Sequence, residues 1–64
     1  MTKEEHLKSL LKQHFKTEET VDGMLSMFDT DEQRQILIEE LENGLDDKEV
    51  IILMACDIAD GLEV

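Results

Sequence analysis

Apolar residues recur along this chain at helical spacing, in four segments separated by short polar stretches. In the first, Leu7, Leu10, Leu11 and Phe15 form one stripe, while Lys8, Lys12 and Lys16 line the opposite side. Glu4 stands four residues before Lys8, the favourable orientation for an intrahelical ion pair. Thr2 with Glu5 three residues later predicts a capping box at its start. The second segment places Val21, Met24, Leu25 and Phe28 on one face, with Met27 at the margin. Thr17 is its expected cap, and Glu18 and Glu19 suit the positive end of the helix dipole. Gly23 inside it either lets a neighbouring helix approach or simply weakens the segment.

The third segment begins at Asp29 or Thr30, because Asp29 with Glu32 and Thr30 with Gln33 are rival capping boxes. Leu37, Ile38 and Leu41 cluster on one side, with Leu45 near them, whereas Ile36 falls among Glu39, Glu40 and Asn43. Asn43-Gly44 reads as a left-handed C-cap. Asp46 with Glu49 signals the start of the fourth segment, and Gly61 its end. Here Ile51, Ile52, Met54, Ala55, Cys56, Ile58 and Ala59 cover well over half of a helical wheel, and only Asp57 and Asp60 mark a wet side. A helix apolar nearly all round is expected to be buried on most sides. The β-branched start of the run also permits a buried strand from Val50 to Cys56, but the capping signal and the lack of pairing strands favour helix.

These segments predict an all-α fold, a compact bundle of three to four short helices in one small domain, residues 1–64, with the apolar C-terminal helix as its central post. Sixty-four residues allow no second domain. So short a chain can hardly cover Val50, Ile51, Ile52, Leu53 and Met54 together. A symmetric homodimer is therefore expected, joined through Ile51, Ile52, Ala55, Cys56 and Ala59.

Charge changes the picture most. The chain holds 17 acidic against 6 basic residues, a net of −11. Residues 1–16 carry four lysines against two glutamates, a net of +2; residues 17–64 carry Arg34 and Lys48 against fifteen acids, a net of −13. Such a surface repels phosphate backbones and anionic membranes and attracts basic proteins over a Debye length of roughly 8 Å. Direct nucleic-acid or membrane binding is thus not expected. The lone Cys56 excludes an intrachain disulfide, no leader-like apolar stretch opens the sequence, and the longest apolar run, Val50 to Cys56, is seven residues. A cytoplasmic protein is expected.

Candidate chemistry is sparse. Ser9 and Ser26 lack a glycine-framed elbow, and Cys56 lies in the most apolar stretch, where burial would leave it inert. His6 and His14 have no cysteine at zinc-site spacing, and His14 projects among Leu7, Leu10 and Leu11 as a core-edge residue. No catalytic residue, metal or cofactor is expected, and the protein reads as a non-enzyme. Phe28-Asp29-Thr30-Asp31, followed by Ile36, Glu40 and Leu41, resembles an EF-hand calcium loop over residues 29–40, with Asp29, Asp31, Ile36 and Glu40 at positions 1, 3, 8 and 12. It departs from that pattern at position 5 (Gln33), position 6 (Arg34 for the sharp-turn glycine) and position 9 (Leu37).

The function expected is that of a small acidic regulator or inhibitor that binds a protein with a basic surface. Its contact face would be Glu39, Glu40, Glu42, Asp46, Asp47 and Glu49, whose carboxylates can imitate phosphates. The alternative is a structural or adaptor module that works through the apolar C-terminal helix.

Overall fold

The computed structural model describes residues 2–61. Within them the chain forms four α-helices and no strand: α1 Lys3–Lys12, α2 Glu18–Ser26, α3 Asp31–Glu42 and α4 Lys48–Ala59. The all-α bundle is the architecture that the hydrophobic spacing predicts, and Val50–Cys56 lies in helix.

Three of the four helices begin where a side chain replaces a missing backbone acceptor. Thr2 accepts from the Glu5 amide at 3.2 Å. Of the two rival boxes, Thr30 with Gln33 is the one formed: Thr30 accepts from the Gln33 amide at 3.2 Å, and the Gln33 side chain returns to the Thr30 and Asp29 amides. Asp47, not Asp46, caps α4, accepting from the Glu49 and Val50 amides at 2.9 and 3.3 Å. Thr17 occupies the N-cap position of α2 without a side-chain cap bond. Helix α3 ends in a Schellman motif, with Leu45 N–H donating to the Glu40 carbonyl and Gly44 N–H to that of Leu41. Gly44 has φ +107°, which a residue with a Cβ adopts only under strain.

The core is one cluster drawn from every helix: Leu7 and Leu11; Val21, Met24, Leu25 and Phe28; Leu37, Ile38 and Leu41; Ile51, Ala55 and Ile58. Helix α1 packs on α2 and α3, and α3 also carries α4. The α1–α3 pair therefore forms the middle of the packing, with α2 on α1 and α4 on α3, and the expectation that α4 is a central post is corrected. Only Ile51, Ala55 and Ile58 of α4 are buried, while Val50, Ile52 and Leu53 are 40%, 42% and 65% exposed. The reason is stoichiometric: α3 covers one stripe of α4, and no described element lies over the other side. Gly23 meets nothing within 4 Å of where a Cβ would stand, so it permits no close helix approach. No described helix is long and apolar enough to cross a membrane.

Candidate functional site

The acidic residues singled out by sequence gather around the junction of α3 and α4. Glu39, Glu40 and Glu42 occupy the last turns of α3, Asp46 and Asp47 the connection, and Glu49 the first turn of α4; all six are exposed. No basic residue stands in the last turn of α3, so three glutamates sit at the negative end of a helix dipole with nothing nearby on the helix to offset them.

Four of the chain's six cations are engaged elsewhere, and Lys48, which stands between Asp47 and Glu49, makes no ion pair among the described residues. Lys8 lies 3.6 Å from Asp22 and Lys12 3.6 Å from Glu18, which neutralises the α1–α2 side. Lys3 donates to the Gln35 side chain at 2.6 Å. Arg34 bonds Asp31 at 2.9 Å and the Phe28 carbonyl at 3.1 Å, tying the first turn of α3 to the end of α2. Among the described residues, Glu39, Glu40, Asp46, Asp47 and Glu49 have no ion-pair partner, and Glu42 has only His6, at 3.3 Å. This division could not be read from the sequence, because it depends on which faces of α1 and α2 meet.

Asp47 has two roles. It belongs to the acidic band, and its carboxylate also holds the first turn of α4. A change there perturbs folding as well as charge, so Asp46 is the cleaner probe of the surface.

The apolar contact set divides. Ile51 and Ala55 are fully buried in the chain's own core, so a second copy could reach them only by opening the bundle. Ile52 and Cys56 are exposed, and Ala59 is half-buried. The exposure of Cys56 overturns the expectation of a buried thiol; it lies on the outward side of α4, off the Ile51–Ala55–Ile58 stripe. Leu53, named from sequence among the residues the chain can hardly cover but left out of the expected contact set, is the most exposed large apolar side chain described. With Glu49 and Ile52 it lines a shallow apolar depression.

The calcium-loop resemblance does not survive folding. Asp31 to Glu42 is continuous helix, so the residues at positions 3 to 12 cannot wrap an ion. Among the described residues no group of three or more His, Cys, Asp or Glu side chains is placed to hold a metal. His14 is half-buried at the end of α1.

Compared with models of protein families, with curated proteins and with solved structures, the chain matches none.

Proposed function

We propose that this chain is a small, acidic, non-enzymatic regulator or inhibitor of the cytoplasm that acts by binding a protein with a basic surface. The observation that carries this reading is the acidic band from Glu39 to Glu49, six carboxylates against the single Lys48, unpaired among the described residues, while Lys8 and Lys12 of α1 pair with Asp22 and Glu18 of α2. Carboxylates along the end of a helix, its connection and the start of the next can stand in for a run of phosphates. Nucleic-acid-binding proteins are therefore the partner class this surface suits.

The test is capture by the tagged chain from nuclease-treated cytosol at low and high salt, alongside a variant carrying E39K, E40K and D46K. A basic protein held at low salt, released at high salt and lost with the variant supports the reading. Equal capture by the variant refutes it.

A second reading has one observation in its favour. The outward Val50, Ile52 and Leu53 suit an adaptor or a homodimer that works through α4. Binding of that kind resists salt.

A further inference from the structure

Resting on the protein-binding reading, we infer that the outer face of α4 is the seat of a cationic amphipathic helix supplied by the partner. Isolated exposed apolar residues are ordinary on a protein surface. Here Ile52 and Leu53, 42% and 65% exposed, are neighbours on one helix and line a shallow apolar depression with Glu49, on a side that no described element covers, while Val50 is exposed on the other flank. At 3.6 residues per turn, Glu49, Ile52, Leu53 and Cys56 share one side of α4, the side opposite Ile51, Ala55 and Ile58. This apolar strip is bracketed by acid. Asp46, Asp47 and Glu49 lie at its N-terminal end, and Asp57 and Asp60 at its C-terminal end.

Charge complementarity decides the occupant. Lys48 is the sole basic residue of α4, and none stands in its last turn, so the negative helix end adds to Asp57 and Asp60. A second copy laid on this face would set Glu49, Asp57 and Asp60 against their own kind in either direction along the helix. A partner helix of about three turns, with aliphatic residues at i, i+3 or i+4, and i+7 and with Lys or Arg on both flanks, meets the apolar strip and the acidic ends together. The acidic band at Glu39 and Glu40 then attracts the partner, while Ile52 and Leu53 supply the docking contact.

The experiment uses the full chain and a fluorescent helical peptide of about four turns made only of leucine and lysine, with the leucines on one face. A peptide of the same composition but scrambled order is the control. Binding is followed by anisotropy, and the face is followed independently by the rate at which Cys56 is alkylated. The expected result is tighter binding of the amphipathic peptide than of its scramble, slowed alkylation of Cys56, and about tenfold weaker binding to the I52Q/L53Q variant. Both substituted side chains point outward, so circular dichroism of the variant should match the parent. Equal binding of the two peptides, unaffected by I52Q/L53Q, overturns this inference but leaves the acidic-surface reading standing. No binding of either peptide overturns both. Slow alkylation of Cys56 that speeds on dilution of the chain alone assigns the face to a second copy and overturns the inference.

Discussion

Gln33 offers the sharpest check on how the fold is held, because one side chain joins a local cap to a tertiary contact. Its oxygen accepts from the Asp29 amide at 2.7 Å and, near the outer limit of a hydrogen bond, from that of Thr30 at 3.4 Å. Its nitrogen donates to the Ile58 carbonyl at 3.2 Å, which pins the start of α3 to the end of α4. Two good bonds at about 0.5–1.5 kcal/mol each, less the few tenths that alanine returns as a better helix former, give about 1.5 kcal/mol for Gln33→Ala. In a domain of this size that is a fall in Tm of about 6–12 °C. Gln33→Glu keeps an acceptor for the cap and places a negative charge at a helix N-terminus, but it cannot donate to Ile58. That carbonyl still receives the Gly61 amide at 3.0 Å, so it is not orphaned. The loss for Glu is therefore expected to be smaller, about 0.5–1 kcal/mol. Urea unfolding followed by circular dichroism should rank wild type above Glu above Ala. A Glu variant as unstable as Ala would show that the cap contributes nothing, and an Ala variant within about 0.3 kcal/mol of wild type would refute the whole account.

Leu37 is fully buried and Leu53 is 65% exposed. Leu37→Ala should cost about 2–5 kcal/mol in urea titrations, whereas Leu53→Ala should stay within about 0.5 kcal/mol, although both are leucines in helices. The two glycines diverge in sign. Gly23→Ala, in a helix with open space around it, should stabilise by about 0.5–1 kcal/mol, while Gly44→Ala, at φ +107°, should destabilise by about 1 kcal/mol, both read from thermal melts. The caps diverge in size. Asp47→Ala should cost about 1 kcal/mol and Thr17→Ala little, since only the first makes cap bonds; hydrogen exchange at the Glu49 and Val50 amides would show the loss locally.

The apolar stripes of α1, α2 and α3 were legible because each is one-sided: a helix with a single apolar face has one way to bury it. Leu7, Leu11, Val21, Met24, Leu37, Ile38 and Leu41 accordingly lie in the core. Helix α4 was misjudged for the opposite reason. Its wheel is apolar nearly all round, and hydrophobicity says that such a helix would gain from burial without saying that enough chain exists to bury it. Three partner helices of 9–12 residues form one core cluster, and their packing fully buries only the Ile51–Ala55–Ile58 stripe of α4, with Met54 partly covered beside it. Exposure of the acids followed from their charge alone. Which acids keep that charge uncompensated did not, because Lys8 and Lys12 meet Asp22 and Glu18 only once α1 packs on α2. The Gln33–Ile58 bond spans 25 positions, and no local pattern signals it.

The acidic band also makes a claim on stability that separates its proposed role from mere solubility. Glu39 and Glu40 stand near the negative end of α3, close to Glu42, and each costs the free chain a few tenths of a kcal/mol at low ionic strength. Glu39→Gln and Glu40→Gln together should therefore raise the urea midpoint at low salt, and the gain should fade as salt screens the repulsion. If these residues exist to engage a basic partner, the same pair of changes must weaken partner capture, so stability and binding move in opposite directions. That opposition is the signature of a surface held under repulsion until a ligand relieves it, and binding of the cationic peptide should stabilise the fold by mass action. Acids serving only solubility predict the gain in stability with no loss in binding. No gain at low salt would mean that repulsion within the band is negligible, and the electrostatic basis of the proposed function would fall with it.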